Sequence, residues 1–230
     1  AALLPLATYR KPAWAVLKRN FISYFTTPTG YAFWVLFVLL SSFAAFWPHD
    51  FFASNLATLD QLNFWAPLIL LLFVPAITMS IWAEERRQGT DELLLTIPAS
   101  DIDIVLGKYL AAASIFSASL LFSQLANFAI LDWLADGGVD LGLYYSTYLG
   151  YWCMGMAMLA IGMVASFLTS NLTVGFILGA VLNAPLALAN YADVIISDAS
   201  TAQRISSWGM WANFQDFGRG VISLSSLVYF

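Results

Sequence analysis

Long apolar stretches alternate with short polar ones along the whole chain. Five apolar runs, Tyr31–Trp47, Phe64–Trp82, Leu110–Leu131, Leu143–Leu168 and Leu172–Ile196, are bounded by polar or turn residues. A helix rising 1.5 Å per residue needs about 20 such residues to cross about 30 Å of hydrocarbon. The pattern therefore predicts five complete membrane spans. A sixth run, Leu224–Phe230, begins and stops too soon to cross. Trp and Tyr mark many of the ends, among them Tyr31, Trp34, Trp47, Trp82, Tyr109, Trp133 and Tyr144; such rings prefer the headgroup level. No internal repeat is visible.

Composition agrees with this pattern. Hydrophobic residues make up 60% of the 230 and charged residues only 10%, and mean hydropathy is +0.77. So little charge excludes an ordinary soluble surface. The net charge of −5 says less than its distribution. With the N-terminus inside, Arg10, Lys11, Lys18, Arg19, Arg86, Arg87 and Lys108 fall on the cytoplasmic side and only Arg204 and Arg219 outside. That bias predicts a cytoplasmic N-terminus in a multi-pass protein of the inner (plasma) membrane. No basic tract points to nucleic acid. Cys153, the one cysteine, excludes an intrachain disulfide and a cysteine metal site. The chain opens without Met or a secretory signal pattern, so the native start is expected to lie upstream of Ala1.

Three segments do not span. In residues 9–27, Trp14, Leu17, Phe21, Tyr24 and Phe25 recur at helical spacing beside Lys11, Lys18 and Arg19, which predicts an interfacial helix on the cytoplasmic surface. In the outer segment 197–223, Trp208, Trp211, Phe214 and Phe217 repeat every three residues and are expected near one face of a short helix dipping into the outer leaflet. The third segment, residues 83–108, carries most of the chemistry.

That loop is dense in charge. Ala83–Tyr109 holds nine charged residues in twenty-seven, directly between two apolar runs. Glu84, Glu85, Arg86 and Arg87 extend the second span as polar helix, and Gly89 permits a break. Thr90 is placed to cap a second helix, with Asp91 and Glu92 in its first turn, where the dipole favours anions. Leu93, Leu94, Leu95 and Ile97 follow, and Pro98 ends it. Ser100 with Asp103 is a broad capping box opening the helix that runs through Lys108 into the third span. The expectation is a short transverse helix of about two turns offering apolar and acidic side chains, and an exposed Leu-Leu-Leu needs a partner. The competing reading is a solvated connection whose leucines pack back on the membrane surface.

The stretch "EERRQGTDELLLTIPASDIDIVLGKYLA" resembles the loop between the second and third spans of ABC exporter permeases of the ABC-2 type, most closely the gliding-motility branch. The matching positions are Glu84, Glu85, Gly89, Thr90, Glu92, Leu94, Leu95, Pro98, Gly107 and Lys108. "FQDFGRGVISLSSLVYF", Phe214–Phe230, is similar to the segment entering that branch's last span. The resemblance implies an all-α polytopic bundle of six spans per subunit and a coupling helix docking in a groove of a cytoplasmic ABC ATPase. It also implies two ATPase subunits and a second permease subunit, identical or different. The sequence departs from the family in having only the start of a sixth span, so the source chain is expected to continue past Phe230 or to lack that helix.

Chemistry within this chain is scarce. Gly107-Lys108 is followed by Tyr109 and lacks an upstream glycine, so no phosphate cradle exists, and ATP with Mg is expected in the partner ATPase. No catalytic, cofactor or metal residue is assigned; His49 reads as a surface residue beside Pro48 and Asp50. Serines occur without a nearby histidine base. The spans contain almost no ionisable residue, which disfavours an ion-coupled secondary transporter. Gln124, Asn127, Asn183 and Asn190 either line a polar cavity or pack against neighbouring helices, and Gly175 with Gly179 forms one small-xxx-small pair. The expected function is the membrane subunit of an ATP-driven exporter. The alternative is a membrane anchoring or assembly subunit that holds a partner through the same loop without transport.

Overall fold

Apolar runs this long, with every backbone group needing a partner inside hydrocarbon, leave helix as the economical choice. A computed structural model describes residues 11–47, 58–90, 99–134, 138–192 and 196–230, and all regular elements among them are helices. In chain order they are α1 (Lys11–Thr26), α2 (Pro28–Ala45), α3 (Asp60–Gln88), α4 (Asp101–Leu134), α5 (Leu141–Phe167) and α6 (Leu172–Leu188). A 3-10 turn, Ala189–Tyr191, follows α6, and then come α7 (Ala199–Ser207), α8 (Met210–Gly218) and α9 (Leu224–Tyr229).

Local chemistry sets several ends. The Asp140 carboxylate accepts from the Leu143 amide at the start of α5, and Asn171 accepts from Thr173 and Val174 at the start of α6. Pro28 stands in the first turn of α2, where a missing N–H costs nothing. At the far end of α3, Gly89 adopts φ 66° and its amide closes on the Glu85 and Arg86 carbonyls; a residue with a Cβ would be strained there.

α3, α4, α5 and α6 with its following turn are each long and apolar enough to cross a membrane. The first expected span is different. α2 is only 18 residues long, and a fifth span is reached only by taking α1 and α2 as one element bent by 78°. Pro28 opens α2, and Pro48, just beyond its end, disfavours helix at Trp47. α6 turns to 3-10 geometry at Ala189, earlier than the expected Ile196, with Pro185 removing one of its last helical hydrogen bonds.

α3 is central, packed on α2, α5 and α6. Missing side chains let these helices approach. A Cβ at Gly162 would stand 2.5 Å from the Thr78 hydroxyl, and one at Gly155 would stand 2.1 Å from the Phe116 ring. Gly175 and Gly179 seat α6 against Met79 and Pro75 of α3, so the small-residue pair is used inside the chain. The core between them is apolar, with Phe37 stacked on Phe73 at 4.2 Å and Met154, Met158 and Leu159 fully buried.

Two of the intramembrane amides, Asn127 and Asn183, pack against neighbouring groups, whereas Asn190 lines a small pocket with Phe64, Tyr191 and Trp211. Asn127 accepts from Ser42 at 2.7 Å and donates to the Tyr148 hydroxyl at 2.9 Å, while Ser41 and Ser123 share a hydrogen bond of 2.7 Å. These bonds tie α2, α4 and α5 together inside the bundle. Asn183 is fully buried and donates to the Gly179 carbonyl of its own helix.

The aromatic outer segment departs from expectation. Trp208 lies before α8 and is 77% exposed, whereas Phe214 and Phe217 are buried. Gly209 separates Trp208 from the helix, and a three-residue spacing drifts by about 60° per step on a 3.6-residue helix. Phe214 and Phe217 sit where Gly150 of α5 leaves room.

Candidate functional site

Two polar helix ends flank the charged loop. Ala83–Gln88 prolongs α3 past its apolar stretch, and Asp101–Lys108 precedes the apolar stretch of α4. The chain must turn back between them, so residues on the two ends meet at equal heights. Glu85 and Lys108 are such a pair. The Lys108 ammonium donates to the Glu85 carboxylate at 2.5 Å and to the Ile81 carbonyl at 2.5 Å. It also lies 4.3 Å from the centre of the Trp82 ring.

Lys108 is fully buried, a placement tolerated only when the charge is paired and its donors are used. Three partners on one face of α3 supply that: a carboxylate, a carbonyl and an indole face. Burial pulls the Lys108 ammonium below the usual lysine range, and the Glu85 hydrogen bond and charge pull the other way. Glu85 has a second cation. Arg19 of α1 donates to its other oxygen, so one carboxylate joins α1, α3 and α4.

α1 gets this close because Gly107 has no side chain. A Cβ there would lie 2.7 Å from the Ala13 carbonyl and 2.9 Å from the Val16 side chain. α1 thus packs along the polar first turns of α4. Its Trp14 is exposed and Ala13 is buried.

α5 completes the base of the loop. The Ser166 hydroxyl donates to the Met79 carbonyl at 3.0 Å and accepts from the Trp82 and Ala83 amides at 3.1 and 3.2 Å. Phe167 meets the Trp82 ring edge-on at 5.3 Å, with the Arg86 guanidinium 4.5 Å above its own ring.

Of the sequence-predicted site residues, Glu84, Glu85, Gly89 and Thr90 are described, and Asp91, Glu92, Leu93, Leu94, Leu95 and Pro98 lie outside the described residues. Glu84 binds locally to Arg87 at 2.6 Å and Gln88 at 2.6 Å, and the Arg87 hydrogen bond holds its carboxyl below the usual range. Glu84 therefore does not join the Glu85 cluster. Thr90 turns back, its hydroxyl donating to the Glu85 carbonyl at 3.3 Å. Past the loop, the Asp103 amide donates to the Ser100 hydroxyl at 3.2 Å and Ser100 donates to the Asp103 carboxylate at 2.7 Å. That is the reciprocal pairing of a capping box, with the Ser100 hydroxyl in place of its amide as the second donor.

Sequence reasoning missed Arg19 and the role of Lys108. The available signal was Lys108 itself, a lone cation at the threshold of an apolar run, with a carboxylate at matching height across the turn. The apolar side chains Ile102, Val105 and Leu106 are exposed beside the loop.

The sequence profile of the ABC-2 family transporter proteins matches residues 51–190, more than half of the chain. No curated protein and no solved structure matches it.

Proposed function

The chain belongs to the ABC-2 family of transporter proteins, and from that premise we propose that it is the permease subunit of an ATP-driven exporter whose 83–108 loop receives the stroke of a separate ATPase. Membership makes it a multi-pass membrane component without catalytic work of its own. The observation that carries the coupling reading is the Glu85 cluster. A loop that transmits force needs stiff supports, and both of its helical ends are bound to one another and to α1 through a single carboxylate.

In this reading the ATPase grips the segment 90–97, on the cytoplasmic side. ATP-driven closure of two ATPase subunits then moves α3, α4 and α1 together, because Lys108 and Arg19 both hold Glu85. ATP and Mg reside in the ATPase, and a second permease subunit completes the path. α6 offers the least covered face of the long spans, with 28% of its apolar window buried against 56% or more for α3, α4 and α5. An apolar groove of about 420 Å³ runs between α2 and α6, lined by Leu36, Phe37, Phe73 and Phe176. We assign this side to the partner permease. We place the chain in the gliding-motility branch of that family on the loop residues and the Phe214–Phe230 segment.

Purification of the chain from its native membrane with its bound partners tests the proposal. An ATP-binding subunit whose hydrolysis drives movement of a substrate across a reconstituted bilayer is the expected result. A stable partner without ATP-driven transport would favour the anchoring alternative.

A further inference from the structure

α3 is helical throughout, yet its backbone ladder is weakened at three places between residues 71 and 83, just before the Glu85 cluster. Pro75 has no N–H to give the Leu71 carbonyl. Thr78 is fully buried, and its hydroxyl bonds back onto the Val74 carbonyl at 3.2 Å and the Pro75 carbonyl at 3.4 Å, an arrangement that bends helices. The third place is set by α5. The Trp82 and Ala83 amides, whose helical acceptors are the Thr78 and Met79 carbonyls, both donate to the Ser166 hydroxyl, which itself donates to the Met79 carbonyl. A side chain set into the ladder in this way is a cause of kinks.

The neighbours of this stretch meet it at backbone. Gly162 of α5 sits on Thr78, and Gly179 and Gly175 of α6 sit on Pro75 and Met79: a Cβ at these glycines would stand 2.5 Å from the Thr78 hydroxyl, 3.1 Å from the Pro75 Cβ and 3.4 Å from the Met79 carbonyl. No flexible side chain cushions those contacts. Gly162 and Ser166 are four residues apart, on one face of α5, and from α4 Lys108 takes the Ile81 carbonyl. Residues 79–83 are thus held through their own backbone groups by α4 and α5 together.

On either side of the stretch α3 is fixed. Before it, Phe73 stacks on Phe37 and Asn63 accepts from Tyr151; after it, Glu85 is bound to Lys108 and Arg19. Any bend of α3 therefore falls between, where the ladder is weakest. The hydrogen bonds also balance in two arrangements. When Ser166 withdraws, the Trp82 and Ala83 amides return to the Thr78 and Met79 carbonyls, and the Ser166 hydroxyl bonds back onto the Gly162 carbonyl of its own helix. Neither arrangement leaves a buried polar group unmet, which is the condition for two states close in energy.

We propose that Pro75–Ala83 is a joint in α3 and that Ser166 is the positioning residue that latches it to α5. With the latch closed, the loop end of α3 moves with α5; with it open, that end swings about the joint and carries the Glu85 cluster with it. The purpose of the joint rests on the coupling reading, whereas the joint itself belongs to the permease chain alone.

The test places nitroxide pairs on the full chain in lipid nanodiscs, in a Cys153→Ala background, and reads their separations by pulsed electron resonance. Gln88→Cys with Leu168→Cys, both exposed at the loop end, reports the joint; Trp65→Cys with Tyr145→Cys, exposed at the opposite ends of α3 and α5, is the control. With Ser166 in place, the loop-end pair is expected to give a narrow distribution. Ser166→Ala should broaden it at least twofold and leave the control pair unchanged, and adding Pro75→Ala, which restores an N–H to the ladder, should narrow it again. A serine that only fills space would loosen both pairs alike and gain nothing from Pro75→Ala. In the ATPase-containing complex, Pro75→Ala alone should keep the ATPase bound and lower transport tenfold or more. Equal widths with Ser166 and with Ser166→Ala, broadening of both pairs, no narrowing by Pro75→Ala, or transport unchanged by Pro75→Ala overturns the proposal. Absence of ATP-driven transport in the wild-type complex counts against the exporter reading instead, and the distances still decide the joint.

Discussion

The Lys108 ammonium lies 2.5 Å from the Glu85 carboxylate across 23 residues of sequence, with its whole side chain buried. The two residues stand on either side of the charged loop, so their bond fixes the separation of α3 and α4 where the loop leaves them. Arg19 adds the third helix to the same carboxylate. The contributions differ because exposure differs. The Lys108 pair is desolvated, whereas the Arg19 side chain is 55% exposed and its ion pair is worth about 0–1 kcal/mol.

Removing one member of the buried pair therefore costs far more than removing both. Glu85→Ala leaves the ammonium without its counter-charge and is expected to destabilise the fold by about 3–5 kcal/mol, while Glu85→Leu with Lys108→Met lies within about 1 kcal/mol of wild type or above it. Arg19→Ala shifts stability by about 0–1 kcal/mol. Thermal unfolding of the purified protein in nanodiscs ranks the three. A double variant less stable than Glu85→Ala would show that the pair is not the unit described.

Topology is the second expectation. Cys153 is buried in α5, so Cys153→Ala provides a background for Gln88→Cys on the exposed end of α3. An impermeant maleimide added to intact cells should leave this cysteine unlabelled and should reach it once the membrane is opened. Labelling from outside would invert the orientation drawn from Lys and Arg.

Much of this was legible in advance, for physical reasons that differ by element. The apolar runs that became α3, α4 and α5 announce themselves because hydrocarbon imposes a length and a composition. The Ser100–Asp103 box was readable because capping is local chemistry. The packing of α1 on α4 was not legible, because it depends on Gly107, and a missing side chain in another helix leaves no trace in the amphipathic pattern of α1. The Glu85–Lys108–Arg19 cluster was invisible for the same kind of reason: it joins three helices, and a charge pattern read along one chain cannot tell a solvated cation from a buried one. The helix ends that carry the loop are described, and the coupling role of Glu84–Pro98 is an expectation from the sequence.

The paired permease gives a third expectation. The poorly covered α6 and the groove beside α2 need an apolar neighbour of protein or lipid, and a second permease subunit is the assigned one. Native mass measurement of the ATPase-containing complex should give two permease chains. A single permease chain in a transport-competent complex would contradict the assignment.

Gly89 separates support from grip. Its φ of 66° lies far from the value of about −65° that proline enforces, and its amide hydrogen-bonds the Glu85 and Arg86 carbonyls. Gly89→Pro should disrupt the turn that ends α3 while leaving Glu85, Lys108 and the docking residues present. ATPase association is expected to persist with ATP-driven transport reduced tenfold or more. Unchanged transport would remove Gly89 from the transmission path.

The most direct measurement is on Leu94. The substitution Leu94→Asp lies outside every span, so insertion should be unaffected, yet a carboxylate desolvated against the ATPase costs several kcal/mol, about 2–7 for an unpaired polar group and more for a charge. Co-purification of the ATPase with this variant should fall by at least tenfold, with transport lost, while the permease itself assembles in the membrane at wild-type amounts. If ATPase binding and transport both stay at wild-type levels, the 83–108 loop is a solvated connection and the coupling account fails.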